Sequence, residues 1–153
     1  MTGIRTEFLF RIVFEVPEIA DLGKAPTGTR RVARVAGGHF EGPRLKGTVI
    51  PNPGGDWLTF TDDGVTRLDV RAMLRTDDGA MILMTYHGVR HGPPEVMARI
   101  AAGEAVAPEE LYFRIAPRFE TGSKDYAWLN RVIAVGTGER LPTGPIYNVH
   151  QVL

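Results

Sequence analysis

Apolar and charged residues alternate along the first strand-like stretch, from Thr6 to Val16. One side of the stretch carries Phe8, Phe10, Ile12, Phe14 and Val16, and the other side carries Glu7, Arg11 and Glu15. A period of two residues is the pattern of a strand with one buried face. The alternation therefore predicts a long first strand with all five apolar side chains in the core.

Short runs rich in β-forming residues continue through the chain and are separated by turns that contain glycine. Proline and glycine fill the turn at 51–55, and Asp-Asp-Gly fills the turns at 62–64 and 77–79. Such turns favour antiparallel hairpins between consecutive strands. The segment 17–27, with Gly23 and Pro26, is predicted to be a loop. Further strands are predicted at 28–36, 39–51, 57–61, 65–76, 80–89, 111–121, 131–139 and 147–153.

One helix is predicted, beginning at Pro93 and Pro94 and ending at Gly103, with Val96 and Ile100 on one face. The fold class is therefore all-β: a single antiparallel up-and-down β-barrel of eight to nine strands, with one short helix near 94–103. Glycines at 42, 47, 88 and 136 favour a barrel, because strands bend and approach closely there, over the alternative of a two-sheet sandwich. We expect one domain over 1–153.

Six segments carry a family resemblance: GTRR at 28–31, GGHFEGPRLKGTV at 37–49, DW at 56–57, LDVRAMLRTDDGA at 68–80, YFRIAPRFETG at 112–122 and YAWLNR at 126–131. With this spacing the chain resembles the small bacterial and fungal proteins grouped as the domain of unknown function 3237. The resemblance implies a barrel of the calycin or allene-oxide-cyclase-like type. It implies no established set of catalytic residues.

The amino-acid composition limits the classes of binding partner that we expect. Eighteen basic residues balance eighteen acidic ones, so we expect neither nucleic acid nor a membrane surface as a partner. Arg30, Arg31 and Arg34 are interpreted as a solvated strand face. The chain has no cysteine, which favours a cytoplasmic location. The expected partner is a small organic molecule, and a homodimer is the alternative to a monomer.

The histidines do not form a recognisable metal motif. His87 and His91 have a spacing that would chelate on a helix, but on the predicted strand their imidazoles would lie about 13 Å apart. No HExxH, P-loop, G-x-G-x-x-G or G-x-S-x-G pattern is present. We therefore expect no metal and no cofactor.

Candidate catalytic residues lie on the strand at 65–76 and on its neighbour. Asp69 and Arg71 lie on the polar face of that strand, and Tyr86 lies on the adjoining one. In a polar cavity Arg71 would hold a substrate oxyanion, Asp69 would move a proton and Tyr86 would donate from its phenol. The alternative is a solvated polar face and a core tyrosine.

Candidate ligand-binding residues are predicted at the mouth of the barrel. Trp57 would stack on a ligand, while Asp56 and Arg44 would hold its polar group. Arg114 and Trp128 are further candidates of the same kind. The alternative is an exposed ion pair beside a packed indole.

Two functional classes follow from these residues. The first is a cofactor-independent isomerase, cyclase or lyase that acts on a small carbonyl compound through acid–base residues. The second is a calycin-like carrier of a small apolar ligand that performs no chemistry. An ionisable group inside the cavity would favour the enzyme, and a wholly apolar lining would favour the carrier.

Overall fold

The computed structural model describes residues 3–153, and eleven strands in this range form one antiparallel sheet. The strands are β1 (Thr6–Glu15), β2 (Ile19–Ala25), β3 (Gly28–Arg34), β4 (Gly37–Glu41), β5 (Lys46–Val49), β6 (Gly55–Phe60), β7 (Thr66–Thr76), β8 (Met81–His91), β9 (Tyr112–Glu120), β10 (Ala134–Leu141) and β11 (Gly144–Val152). One helix, α1, spans Pro94–Ala101. Single-turn 3-10 helices occupy Pro108–Glu110 and Ala127–Arg131.

The sheet closes on itself. Strands β7 to β11 pair in chain order, β11 pairs with β1, and β1 pairs with β4. Strand β5 pairs with both β4 and β7, which completes a ring of eight strands. The predicted up-and-down barrel is confirmed. Closure leaves the strands of the ring without an open edge.

Strands β2, β3 and β6 extend one end of this ring and are called the wing. They pair in the order β2, β3, β6, and β6 continues the pairing onto the first half of β7. The prediction of a loop at 17–27 is wrong, because Ile19–Ala25 is a strand. Its side chains are mostly exposed, so no apolar alternation marks it, and backbone pairing with β3 holds it in place.

The first strand contains a bulge that changes which side chains are buried. Pairing with β11 shifts register between Phe8 and Phe10, and Leu9 becomes buried while Phe8 lies 38% exposed. The prediction that Phe8 belongs to the core is therefore wrong. An extra residue in one strand reverses the alternation beyond it.

The two ends of the barrel differ. At one end Phe10 contacts Phe40 and Phe119, with ring centroids 5.6 and 5.7 Å away, and Leu129 of the second 3-10 helix is buried in the same core. At the other end, Val96 is the one buried residue of α1. The first end is filled with side chains, and the second contains a cavity. No helix within residues 3–153 has the length and apolar character that crossing a membrane requires.

Candidate active site

A cavity of about 570 Å³ lies at the end of the barrel that carries α1 and the wing. This volume is typical of sites that enclose a small organic molecule. Most of its lining is apolar, and the residues include Phe14, Val35, Leu58, Phe60, Leu68, Val70, Met97, Ile100 and Phe113. The polar side chains that reach this cavity are therefore the ones that can direct chemistry.

Two glycines of β10 leave room for neighbouring side chains inside the barrel, and one of those side chains, Phe113, lines the cavity. A Cβ at Gly138 would lie 2.6 Å from the ring of Phe113, and a Cβ at Gly136 would lie 2.8 Å from Ile115. The missing side chains allow Phe113 and Ile115 to lie across the interior of the barrel. Glycine thus has the close-approach role that was predicted for position 136.

Asp56 is the carboxylate of the cavity. It lies on β6 with the same strand parity as Leu58 and Phe60, all of which line the cavity. Its register partner is Val70, and the register partner of Val70 is Tyr86. The carboxylate and the phenol thus belong to one row across three neighbouring strands. The backbone N–H of Asp69 donates a hydrogen bond to Asp56 Oδ1 at 3.2 Å.

Burial raises the pKa of Asp56 to about 7, although the Asp69 N–H and the nearby Arg90 oppose this change. Asp56 forms no ion pair with any residue of the described range. A carboxyl group with such a pKa populates both protonation states at neutral pH. It can therefore either accept or donate a proton, as a general acid–base catalyst must.

Two guanidinium groups that form no ion pair within the described range, those of Arg90 and Arg140, share the cavity with Asp56. Arg90 on β8 is 8% exposed, and its Cζ lies 5.4 Å from the centroid of the Phe113 ring. Its Nε is buried and has no hydrogen-bond partner among the described residues. Burial lowers the pKa of Arg90 to about 10 and also lowers the pKa of the half-buried Arg140 on β10. Both remain cationic at neutral pH.

Tyr86 lines the same space, and a second tyrosine, Tyr147, contacts Tyr86. The rings of Tyr86 and Tyr147 meet edge to face with centroids 5.3 Å apart, and both are almost completely buried. Burial raises the pKa of each phenol, so both hydroxyls remain protonated at neutral pH. Tyr86 is the one of the two that lines the cavity, so its phenol is the one placed to face a ligand.

The structure places two of the predicted site residues in the cavity, Asp56 and Tyr86. Asp69 and Arg71 lie on the opposite face of β7, where the side chain of Asp69 is 53% exposed, 3.9 Å from His87. The prediction that Asp69 and Arg71 lie in the cavity is therefore wrong. The inward face of β7 belongs to Leu68, Val70 and their apolar neighbours, so the alternate residues point to solvent.

The other predicted ligand-binding residues also lie outside the cavity lining. Trp57 follows Asp56 and faces outward. Arg44 stacks on Trp128 at the filled end, with its Cζ 3.6 Å from the ring centroid. Arg114 lies on the outer face of β9, 4.7 Å from the ring centroid of Tyr112. The mouth site predicted from these four residues is not formed.

Sequence reasoning missed Arg90 and Arg140 as cavity residues. A signal existed for Arg90, because it shares the strand parity of Ile82, Met84 and Tyr86, which are buried. An arginine that continues an apolar face points into the barrel. Arg140 likewise continues the inward face of β10 after Gly138.

No metal site is evident. Within the described range no three histidine, cysteine, aspartate or glutamate residues lie close enough together to hold an ion. His87 lies on β8, and the strand continues beyond its predicted end at 89 to include His91, which stacks on Tyr112 with centroids 5.0 Å apart.

The substitution Asp56→Asn should stabilise the protein at high pH. The folded-state pKa lies above the value of about 4 in an unfolded chain, so the wild type loses stability as pH rises from about 4 to about 7. The amide does not ionise and escapes this loss. At pH 8 we expect the variant to be more stable by about 4 kcal/mol, which is a rise in Tm of about 8–16 °C. In thermal melts across this pH range, the difference in Tm between the variant and the wild type should widen up to about pH 7. A difference that does not change with pH would contradict the burial of the charge.

Comparison with known proteins places the fold among several solved structures. A conserved protein of unknown function from Rhodopseudomonas palustris is 33% identical, with a TM-score of 0.93 over 100% of this chain and 99% of the other. A beta-barrel like protein from Acinetobacter baumannii AYE is 37% identical, with a TM-score of 0.86 over 100% and 98% of the two chains.

A fungal relative adds information of another kind. A protein of Penicillium herquei named as a hydroalkoxylation enzyme is 35% identical over 108 residues, which are 70% of this chain and 56% of the fungal protein. The solved structure of an enzyme from Penicillium herquei is 27% identical, with a TM-score of 0.75 over 100% of this chain and 97% of the other. The barrel thus has a distant enzyme relative. The model of the family described as "Protein of unknown function (DUF3237)" matches residues 4–152, so the chain belongs to that family, as its sequence resemblance indicated.

Proposed function

We propose that this protein is an acid–base enzyme that cyclises or isomerises a small carbonyl compound, with Asp56 as the group that moves the proton. The observation that carries the proposal is a carboxyl group with a pKa raised to about 7 inside a mainly apolar cavity. A carboxyl group in such surroundings has a proton affinity matched to neutral pH, which makes proton transfer in both directions efficient.

The fungal relative supports a cyclisation in particular. Hydroalkoxylation adds an O–H group across a carbon–carbon double bond, and the name of that relative states this reaction. When both groups belong to one molecule, the product is a ring and an isomer of the substrate. Such a reaction needs proton transfers and no oxidant or reductant.

The chemistry fits a substrate that carries a hydroxyl group and an enone. The hydroxyl oxygen would attack the β-carbon of the enone, and ionised Asp56 would accept the hydroxyl proton. The new C–O bond forms while the C=C π electrons move to the carbonyl oxygen, which becomes an enolate. Protonated Asp56 would then return the proton to the α-carbon, and the carbonyl would form again. Atoms and electrons balance, and the carboxylate is regenerated.

The cavity residues support each part of this sequence. Tyr86, in the same cross-strand row as Asp56, keeps its proton at neutral pH and can donate to a developing oxyanion. The apolar lining excludes water that would compete for the intermediate. A carrier of small apolar molecules remains the second candidate, and the large apolar share of the lining favours it.

The direct test is cyclisation of 2′-hydroxychalcone, which holds a phenol and an enone in one molecule and changes absorbance when the ring closes. We expect the protein to accelerate formation of flavanone above the buffer rate, and we expect one enantiomer in excess because the site is chiral. Saturable binding of the chalcone without acceleration or enantiomeric excess would instead support the carrier.

A further inference from the structure

We propose that the cavity selects a small organic anion with a mainly apolar body, and that Arg90 and Arg140 bind its anionic oxygen. The inference deepens the proposed function, on whose cavity it rests, by naming the charge of the substrate. The ligand class is an acid, phenol or enolisable compound that presents a carboxylate, phenolate or enolate oxygen.

An unpartnered donor carries this inference. Arg90 lines the cavity, and its buried Nε makes no hydrogen bond with a described residue. Buried donors without partners are rare, because each forfeits its hydrogen bonds to water. An arginine side chain has donors only, so the missing partner must be an acceptor. An anionic oxygen is the strongest acceptor for it.

The charges of the cavity lead to the same conclusion. Arg31 also lines the cavity, but its Nε lies 3.2 Å from Asp21 Oδ2, which balances its charge. Arg90 and Arg140 form no ion pair within the described range, and the remaining carboxylate of the cavity is Asp56. Two guanidinium groups thus face one carboxyl group that is partly protonated at neutral pH. A monovalent anion would balance the excess.

The apolar body of the ligand is inferred from what surrounds these donors. Phe113 lines the cavity beside Arg90, with its ring centroid 5.4 Å from Arg90 Cζ. Leu68 and Val70 line the same space. An ion without an apolar part would leave this surface uncovered, so inorganic phosphate should bind poorly.

Binding of two isosteric probes tests the inference without any turnover. Isothermal titration calorimetry at about pH 6, where Asp56 is mostly protonated, would compare 2-naphthoate with neutral 2-naphthamide. We expect the naphthoate to bind at least about 10-fold more tightly. Arg90→Met and Arg140→Met should each remove most of this preference and leave the affinity for the amide nearly unchanged.

Matched control variants distinguish binding at the anion subsite from general electrostatic attraction to the protein surface. Arg71→Met removes an exposed arginine from the outer face of β7 and should leave the preference intact. Arg90→Lys keeps the positive charge but lacks the guanidinium fork, and it gives a second variant if Arg90→Met does not fold; it should weaken naphthoate binding several-fold.

Equal affinity for the two probes, no detectable binding of naphthoate, or a preference that persists in both arginine variants would overturn the inference. Competition by inorganic phosphate at similar concentration would overturn the requirement for an apolar body. Naphthoate preference without chalcone cyclisation would contradict the proposed function alone. Cyclisation without the preference would contradict the anion subsite alone.

Discussion

Replacing Asp56 with asparagine should lower the rate of chalcone cyclisation by about 10²–10⁴-fold, the usual worth of a positioned acid or base. The amide has nearly the shape of the carboxyl group and can still accept the N–H of Asp69, but it cannot take up and return a proton. We therefore expect kcat to fall while KM changes little, since the apolar walls that bind the substrate are unaltered. Steady-state kinetics of the purified variant at pH 7 would measure this.

Asp69→Asn is the matched control, because the same exchange is made on the outer face of the adjoining strand. It should leave kcat within about twofold, since an exposed side chain beyond the wall contributes little to the cavity. Circular dichroism of both variants would establish that the fold is retained. Equal losses in the two variants, or full activity of Asp56→Asn, would remove Asp56 from the mechanism.

Gly47→Ala should destabilise the barrel by about 3 kcal/mol or more, which lowers Tm by about 6–12 °C. A Cβ at Gly47 would lie 1.9 Å from the carbonyl oxygen of Arg75 and 2.7 Å from the Cα of Thr76. These are backbone atoms of β7, so no side-chain rotation can relieve the contact. The two strands would have to separate at the point where β5 joins the closed ring.

Gly122→Ala is the control for this change. A Cβ at Gly122 meets nothing within 4 Å, so the substitution should alter the free energy of unfolding by no more than about 0.5 kcal/mol. Urea denaturation of both variants would compare them on one scale. Wild-type stability of Gly47→Ala would mean that β5 and β7 approach less closely than described above.

The raised pKa of Asp56 links the stability of the protein to its proposed activity. The burial that disfavours the carboxylate also makes the group a useful proton carrier at neutral pH. The unpartnered Nε of Arg90 is a second cost borne by the folded protein. Both costs lie in one cavity, where a bound substrate would offset them, and such a concentration of unfavourable groups is typical of functional sites.

Much of the barrel could be predicted from local pattern. The turns at 62–64 and 77–79 separate β6, β7 and β8 as expected, and α1 begins at Pro94. These features depend on residues close in the chain, namely the positive φ of Gly64 and Gly79 and the apolar alternation of β7. The sequence also marked Tyr86 and Asp56 as candidates for a site. Their local pattern could not say how far inside the barrel each would lie.

Only the tertiary structure decided which polar residues meet. Asp56 and Asp69 both lie on strands with polar and apolar positions. Asp56 nevertheless faces the cavity, whereas Asp69 faces solvent. Arg90 and Arg140 come from two strands, and closure of the ring brings them together with Asp56. Alternation along a strand defines two faces, but the bulge in β1, the wing and the pairing of β7 with β8 determine which face is inside. These are contacts between residues distant in the chain, so no local pattern of side chains carries them.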